Sequence, residues 1–300
     1  MSDPVVPPAA PPDPADLARR VALARRLAGE AAHVAVRRWR AGRVVAELKA
    51  DQTPVTAVDR EINDLLVRRL AEADPGTPIV GEEGSLRGAP GGWCWFVDPI
   101  DGTADFVAGT GQWMVLLGAT FGGRPVLGVA ARPLPPADQG APRIYWASAG
   151  GGAWQEPLAG VEGSLAEGDT GPSALHVSEV RTLEAARLLV GKSRHREGFL
   201  ERLAALPHRT LLQVGSLGLK AVLVAQGSAD AYASASLQTS VWDLVGPSVI
   251  VEEAGGRMTD LSGAALTFET DDPTWRRGLI VSNGRVHDAL VAAFEEPSAR

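Results

Sequence analysis

Residues 93–106 read WCWFVDPIDGTADF, and this segment determines how the rest of the chain can be organised. An apolar run that is typical of a buried strand stops just before Pro99. Because Pro99 cannot donate a hydrogen bond to a neighbouring strand and Gly102 allows a tight turn, we expect the strand to end there. Thr103, with Asp105 behind it, predicts the N-cap of a helix. The segment therefore brings acidic side chains to the end of a strand, beside the start of a helix.

Two carboxylates in this segment, Asp98 and Asp101, lie three residues apart. Crowded carboxylates repel each other unless a cation lies between them, and hard oxygen ligands suit Mg2+ or a similar divalent ion. The adjacent start of a helix favours an anion such as phosphate. The pattern thus predicts a site for a metal ion and a phosphate group. The alternative is an ordinary turn, in which aspartate and glycine only satisfy the turn geometry.

The composition is that of a globular protein with an excess of acidic residues. The chain has 300 residues and a mass of 31.4 kDa, enough for two subdomains around one cleft. A net charge of -7 and a pI near 5.3 argue against nucleic acid as a partner. The single cysteine, Cys94, excludes an internal disulfide and is predicted to be a buried strand residue. Without an apolar run of membrane-spanning length or a secretory signal, we expect a cytoplasmic protein.

The first part of the chain predicts two helices joined by a polar loop. Residues 1–13 are rich in proline and alanine and are expected to form a disordered tail. The spacing of apolar residues predicts a helix over 14–40, with a solvated arginine face. A polar loop over 49–59 then leads into a second helix. Thr56 and Asp59 have the spacing of a capping box, so Asp59 taken alone is best explained as a helix cap.

The next elements predict a sheet with a second pair of acids at a strand end. IVGEEG at 79–84 predicts a short strand that ends at Glu82 and Glu83, and a second such pair is harder to explain as solvated surface. Further strands are predicted as antiparallel neighbours in one sheet over 114–121, 126–131 and 144–147.

Residues 158–174 are rich in glycine and small polar residues and predict a linker. The linker would separate an N-terminal subdomain (14–157) from a C-terminal one (175–300). Strand and helix patterns alternate in the second subdomain, which predicts an α/β sandwich. Its predicted strands are 187–191, 211–214, 231–233 and 279–282, and its predicted helices are 199–206, 217–226, 242–255 and 286–294. Asp243 opens the third of these helices, where an acid is commonly a cap or a dipole partner.

Four motifs together resemble the inositol monophosphatase superfamily of metal-dependent, lithium-sensitive phosphomonoesterases. They are Lys49 with VTAVD ending at Asp59, GEE at 81–83, DPIDGT at 98–103, and WD at 242–243 with EAGG at 253–256. Each motif is modest evidence alone, but their order and spacing match over nearly everything after the tail. The resemblance implies a layered αβαβα sandwich of the fructose-1,6-bisphosphatase type, with the site between the two halves.

The same resemblance implies roles for individual residues. Two or three Mg2+ ions would be held by four carboxylates and one backbone carbonyl, namely Glu82, Asp98, Asp101, Asp243 and the carbonyl of Ile100. Asp59 and Thr103 would form a supporting pair, and Glu82 with Thr103 would orient the attacking water. The amides of Gly102 and Thr103 would hold the phosphate. No side chain needs to become phosphorylated, unlike the rival DxDGT phosphatases, whose two aspartates lie two residues apart rather than three.

The second half resembles the 3'(2'),5'-bisphosphate nucleotidases of the CysQ type, which remove the 3'-phosphate of adenosine bisphosphates. GSLGLK at 215–220 looks like the serine and lysine segment of that branch. This likeness implies that Ser216 and Lys220 contact the substrate, with the lysine on its other phosphate. Ser193, Arg194 and His195 are similar to the SRSH motif of the branch, although one residue of the motif is missing. The likeness implies that these three residues also contact the substrate.

Other positions argue for and against a nucleotide as the substrate. Inositol monophosphatases carry a glutamate seven residues before the aspartate of WD, whereas this chain has Ser236. Lys49 and Asp105 are also expected beside the substrate, although Asp105 replaces the Asn or Glu that is usual after DGT. No arginine occurs in 232–242, where some nucleotidases place one.

Two alternatives to a bisphosphate nucleotidase stay open. An inositol or other sugar monophosphatase would share the metal site and differ only in its substrate. A catalytically weak relative that binds nucleotide as a regulator would have lost some of the expected ligand residues. In this chain none of them is replaced. We expect a small phosphorylated substrate, no nucleic acid or membrane as partner, and a homodimer, since dimers are common in the superfamily.

Overall fold

The computed structural model describes residues 11–42, 44–49, 52–85, 92–161, 171–192, 195–236, 239–268 and 273–294. The α-helices in these ranges are α1 Pro14–Arg40, α2 Ala57–Ala73, α3 Thr103–Ala108, α4 Phe199–Ala205, α5 Leu217–Ala225, α6 Val241–Glu253 and α7 His287–Phe294. Every predicted helix is present, and the predicted ends are within two residues of the observed ones. No described helix is long and apolar enough to cross a membrane.

The strands fall in two main sheets and two small pairs. Strands of the first half are β1 Ala46–Leu48, β2 Pro54–Thr56, β3 Ile79–Gly81, β4 Trp93–Asp101, β5 Met114–Phe121, β6 Arg124–Arg132, β7 Arg143–Ser148, β8 Gly152–Pro157 and β9 Ser173–Ala174. Strands of the second half are β10 Arg187–Val190, β11 Thr210–Gln213, β12 Ala231–Ser234, β13 Thr239–Ser240, β14 Arg257–Thr259, β15 Thr274–Trp275 and β16 Leu279–Ser282.

The larger sheet has the strand order β3-β4-β5-β6-β7-β8-β9. Only β3 and β4 run parallel, so the predicted antiparallel pairing of the three strands after β4 is confirmed. β8 was not predicted, and β9 falls inside the segment predicted as a linker, where it pairs with β8. The smaller sheet has the order β11-β10-β12-β16-β14, with its first three strands parallel.

The helices and sheets stack in five layers. Apolar residues of α1 and α2 pack on one face of the larger sheet. Helices α5 and α6 lie in the middle, where their buried residues pack against both sheets. Helices α4 and α7 cover the outer face of the smaller sheet through Phe199, Leu203, Leu290 and Phe294. The layered αβαβα sandwich expected from the sequence is confirmed, and α6 carries a predicted ligand into the middle layer.

One prediction for α1 was wrong, because its arginine face is not wholly solvated. Arg20 is 5% exposed, and its guanidinium holds both carboxylate oxygens of Asp74 at 3.0 and 2.7 Å. The indole nitrogen of Trp95 donates to the same carboxylate at 2.8 Å. A buried arginine keeps its charge at acceptable cost only when such a partner is present. This pair therefore fastens α1 and the end of α2 to β4.

Candidate active site

β4 does not end at Pro99 as predicted, but continues to Asp101 through a bulge. Asp98 pairs with Leu116 of β5, and Asp101 pairs with Met114, so three steps on β4 match two steps on β5. Without the extra residue, an odd spacing would place the two aspartates on opposite faces of the sheet. The bulge instead turns both carboxylates to the face that packs on the middle helix layer.

Asp243 reaches the same place from the first turn of α6. Its Oδ2 accepts a hydrogen bond from the Ser240 amide at 2.9 Å, so it also caps the helix, as the simpler interpretation predicted. The carboxyl groups of Asp98 and Asp243 lie close together in the wall of one cavity. Burial, and then the surrounding carboxylates, raise the pKa of both groups well above the ordinary value. A cation between the two carboxyl groups would offset this cost.

Glu82 follows β3, and its amide donates to the Val97 carbonyl of β4 at 3.2 Å. Its Oε1 lies 2.7 Å from the ammonium group of Lys49, which also pairs with Glu83. Burial raises the pKa of Glu82, although the Lys49 charge acts in the opposite direction. Lys49 thus pairs with both acids and offsets part of their charge, and it is not among the residues that line the cavity.

Asp101 is held by the start of α5. Its carboxylate accepts hydrogen bonds from the Ser216 hydroxyl at 2.5 Å and from the amides of Leu217 at 3.0 Å and Gly218 at 2.6 Å. The unpaired amides at a helix start are suited to a carboxylate. Ser216 lies in the cavity wall, as a predicted substrate contact should, but its hydroxyl is committed to Asp101.

Thr103 is not the N-cap of α3, which is a correction to the sequence prediction. Gly102 takes that position with a φ of 98°, and Thr103 is the first helical residue. The Thr103 hydroxyl lies 3.0 Å from Asp59 Oδ1 and 3.2 Å from the carbonyl of Ile100. Asp59 also receives the amide and the hydroxyl of Thr56, so it is both the predicted cap and the predicted partner of Thr103. Burial raises the pKa of Asp59.

These residues surround a cavity of about 320 Å³ between the two halves of the chain. Its lining contains ten of the predicted site residues, which are Glu82, Asp98, Ile100, Asp101, Gly102, Thr103, Asp105, Ser216, Lys220 and Asp243. Asp59 lies behind Thr103 and not on the cavity. His195 is also absent from the lining and stacks on Phe199 at 5.1 Å. Ser193 and Arg194 lie outside the described residues.

The second half of the chain contributes two lysines to the lining. Lys220 is 4% exposed, and its ammonium group donates to the carbonyls of Gly215 at 2.7 Å and Ser216 at 2.6 Å. Burial lowers the pKa of Lys220 to about 8. Lys192 is more exposed and lies 2.6 Å from Asp105 Oδ1. Sequence analysis missed Lys192, although its position directly after a predicted strand was a usable signal.

The acidic side chains provide the oxygen ligands that a hard divalent cation prefers, but they are not arranged around a single ion. Within the described ranges, no group of three or more His, Cys, Asp or Glu side chains is positioned to hold a metal ion at once. Asp101 is engaged by α5 and Glu82 by Lys49, which accounts for the open arrangement. The neighbouring carboxyl groups of Asp98 and Asp243 fit a cation best, because like charges held close together with little access to water are otherwise costly.

Comparison with known proteins agrees with this geometry. The model of the inositol monophosphatase family matches residues 16–299. A histidinol-phosphatase of Mycobacterium tuberculosis is 35% identical over 82% of this chain and 86% of that protein. A 3'(2'),5'-bisphosphate nucleotidase CysQ of Aggregatibacter actinomycetemcomitans is 29% identical over 75% of this chain and 78% of its own. The solved structure of an inositol monophosphatase from Thermotoga maritima has a TM-score of 0.74 at 27% identity, covering 92% of this chain and 96% of that chain. The chain therefore belongs to the inositol monophosphatase family, whose members are metal-dependent phosphatases.

Proposed function

We propose that the protein is a Mg2+-dependent phosphomonoesterase that removes the 3'-phosphate of adenosine 3',5'-bisphosphate. The observation that supports this substrate best is the cationic wall that Lys192, the more exposed lysine of the lining, presents to a ligand. A substrate with a second phosphate gains from such a wall, whereas a monophosphate does not need it. Ser236, at 4% exposure in the lining, offers no carboxylate for the hydroxyls of inositol.

Two or three Mg2+ ions would be held by Glu82, Asp98, Asp101, Asp243 and the Ile100 carbonyl. Bound there, the metal supplies charge neutralisation for the phosphate and a lowered pKa for water. The chain's own contribution begins with Asp59, which accepts hydrogen bonds from the amide and hydroxyl of Thr56 and from the hydroxyl of Thr103. When the Thr103 hydroxyl donates to Asp59, its oxygen keeps lone pairs that can accept a hydrogen bond from the attacking water and so orient it. Glu82 is the second acceptor for that water.

The phosphate itself would bind at the beginning of α3. The amides of Gly102 and Thr103 belong to the unpaired first turn of a helix, which favours an anion. The positive φ of Gly102 allows its backbone to face the cavity, and a side chain at that position would meet the Gln112 carbonyl oxygen at 3.1 Å. In this arrangement the leaving oxygen and the sugar extend toward the second half of the chain, where the two lysines lie.

Histidinol phosphate is a second candidate substrate, because two of the similar proteins are named histidinol-phosphatase. Its ammonium group would need an acid outside the metal cluster, and Asp105 is the candidate in the lining. Lys192 already pairs with Asp105, so a cationic substrate would have to displace the lysine from this carboxylate.

The test is phosphate release in Mg2+ from adenosine 3',5'-bisphosphate, inositol 1-phosphate and histidinol phosphate, each repeated with EDTA and with lithium. We expect the highest kcat/KM for the bisphosphate, with all activity lost in EDTA. A higher value for histidinol phosphate or inositol 1-phosphate would reject the nucleotide assignment and retain the metal site. Release that is insensitive to EDTA would reject the metal-dependent mechanism.

A further inference from the structure

The backbone just before α5 is strained. Ser216 has a φ of 34° and a ψ of 128°, a conformation that residues with a side chain rarely adopt. Such a conformation is costly and persists only where the surrounding structure holds it. We call Gly215 and Ser216 the α5 turn. The contacts of the α5 turn therefore decide whether the start of α5 keeps its position.

The α5 turn controls which oxygen of Asp101 is available to a ligand. Oδ2 of this carboxylate accepts hydrogen bonds from the Ser216 hydroxyl and the Gly218 amide, and Oδ1 accepts one from the Leu217 amide. An ionised carboxylate has about four acceptor positions, so these three hydrogen bonds leave one, on Oδ1, for a cation. The three donors are consecutive residues, and a change in the turn would move them together. The α5 turn thus sets the direction in which Asp101 presents an oxygen.

Gln112 holds the α5 turn from the other half of the chain. It lies between α3 and β5, and its side-chain Oε1 accepts a hydrogen bond from the Gly215 amide at 2.8 Å. The backbone of Gln112 is itself fixed, because its amide donates to the Thr110 hydroxyl at 3.2 Å. Thr110 in turn donates to Asp105 at 2.6 Å. The glutamine therefore presents its acceptor to the turn from a rigid segment.

The contact between Gln112 and the α5 turn is close and excludes a substitute for the glutamine. A methyl group on Gly215 would lie 2.9 Å from the Gln112 carbonyl oxygen and 2.2 Å from Asp105 Oδ2. Gly215 is buried, so water does not readily replace the lost acceptor. The cost of an unpaired buried amide is of the same order as the strain at Ser216. This one hydrogen bond is therefore enough to decide which conformation the turn adopts.

We propose that Gln112 is a positioning residue of the metal site, which acts on Asp101 through the α5 turn. Gln112 is outside the described lining of the catalytic cavity, so its effect on the reaction passes through the turn. The inference rests on the proposed function, since it takes Asp101 as a ligand of Mg2+. Loss of the Gln112 acceptor weakens Mg2+ binding and lowers kcat for every substrate alike.

The experiment is isothermal titration of the full-length, metal-free protein with Mg2+. Gln112→Met keeps the length of the side chain and removes the acceptor. We expect its affinity for Mg2+ to fall by about tenfold, as is typical when a group that orients a metal ligand is lost. Gln112→Glu retains an acceptor oxygen at the same reach and should restore the wild-type affinity. The kcat for phosphate release should fall in Gln112→Met and recover in Gln112→Glu.

Gln226→Met is the matched control, because it makes the same change at the other end of α5. There the glutamine amide donates to the Ser228 hydroxyl at 2.8 Å, and the variant should keep the wild-type affinity for Mg2+. Wild-type affinity in Gln112→Met, or an equal loss of affinity in Gln112→Glu, would overturn the proposal. If Gln112→Met does not fold, Gln112→Asn decides, since its shorter side chain cannot reach Gly215. Wild-type affinity in that variant would also overturn the proposal.

Thermal melts distinguish positioning from a purely structural role. A structural role alone would lower the unfolding temperature of Gln112→Met equally in EDTA and in Mg2+, whereas positioning reduces the stabilisation that Mg2+ gives. Asp101→Asn separates the inference from the proposed function. Unchanged Mg2+ affinity in Asp101→Asn would reject Asp101 as a ligand and, with it, the proposed metal site. If Asp101→Asn loses Mg2+ while Gln112→Met retains it, the proposed function stands and the role of Gln112 is refuted.

Discussion

A methyl group placed on Gly118 of β5 would lie 2.6 Å from the backbone nitrogen of Gly246 in α6. Gly128 of β6, which pairs directly with Gly118, would overlap the carbonyl oxygen of Gly246 in the same way. Helix α6 therefore approaches the larger sheet closely enough to exclude any side chain at these positions. Because Asp243 lies one turn before Gly246, this approach fixes the distance between Asp243 and Asp98.

We predict that Gly118→Ala inactivates the enzyme while the protein still folds. The added methyl group must push α6 away from β5, and overpacking of this kind costs about 1–3 kcal/mol of unfolding free energy. A displacement of Asp243 by about 1 Å would lower kcat by about 100-fold. Phosphate release and denaturant unfolding, measured on the same preparation, give both numbers.

Gly29→Ala is the matched control, since Gly29 lies in α1 and a methyl group there would meet only Leu158 at 3.9 Å. This variant should gain about 0.5–1 kcal/mol of stability from helix propensity and keep full activity. Wild-type kcat in Gly118→Ala would show that the approach of α6 does not position Asp243.

The second prediction concerns Asp98→Asn and Asp243→Asn. Each should abolish turnover, because we propose that the pair supplies ligands for the metal. Neither should lower the unfolding temperature in EDTA, since each variant removes one ionisable group whose pKa is raised by burial and then by the neighbouring carboxylates. The wild-type protein should gain stability from Mg2+, and the variants should gain much less.

Asp64→Asn provides the comparison for these variants, because Asp64 is an exposed acid of α2. It should leave activity and the effect of Mg2+ unchanged. Thermal melts with Mg2+ and with EDTA separate a lost metal site from a damaged fold. Turnover at the wild-type rate in either active-site variant would refute the proposed ligand set.

Much of the fold was predictable because its local signals agree with its packing. The apolar stripe of α1 and the capping box of Thr56 and Asp59 set helices that the structure contains. The strand predictions failed where the sequence lacks alternation, as in β8, which is held by pairing with β7 rather than by its own pattern. Arg20 was wrongly predicted to be solvated, because its partner Asp74 is distant in sequence and no local pattern indicates such a pair.

The site was predictable in its residue types and less so in its contacts. Spacing marked Asp98 and Asp101 as a pair, but the bulge that turns both to one face depends on pairing with β5. Lys220 was expected to point at substrate, whereas its ammonium group binds backbone carbonyls at the start of α5. Lys192 was overlooked, since its partner Asp105 belongs to the other half of the chain.

The third prediction is an acid sensitivity centred on His287. This side chain is buried, with its ring nitrogens 2.9 Å from the Thr259 hydroxyl and 2.8 Å from the Ser282 hydroxyl. Burial lowers the pKa of His287 to about 4 from an ordinary value of 6.5. Because the unfolded chain takes up the proton first, stability is lost as pH falls from 6.5 toward 4, by up to about 1.4 kcal/mol per pH unit.

Urea unfolding at several pH values between 4 and 7 measures this slope. His287→Gln should be less stable at pH 7, since glutamine does not fill the space of the imidazole ring and makes one hydrogen bond fewer. Its stability should, however, depend less on pH. His176→Gln, at an exposed histidine, should keep the wild-type slope. An unchanged slope in His287→Gln would assign the acid sensitivity to other groups.

The last prediction separates the two lysines of the cavity. Lys192 is 41% exposed and can turn from Asp105 toward an anionic group, whereas Lys220 is buried under three backbone carbonyls. Lys192→Ala should raise KM for adenosine 3',5'-bisphosphate by about tenfold, because a charged contact is lost and Asp105 is left unneutralised. KM for inositol 1-phosphate should change little, and Lys192→Arg should restore most of the affinity for the bisphosphate.

Lys220→Met should behave differently, since its ammonium group holds the start of α5, and α5 holds Asp101. Its loss should lower kcat for both substrates alike through a shifted Asp101, with no selectivity for the second phosphate. If Lys220→Met instead raised KM for the bisphosphate alone, and Lys192→Ala affected neither substrate, the second phosphate would be bound at Lys220. That phosphate would then have to displace the Gly215 and Ser216 carbonyls from the ammonium group, and α5 would have to move when substrate binds.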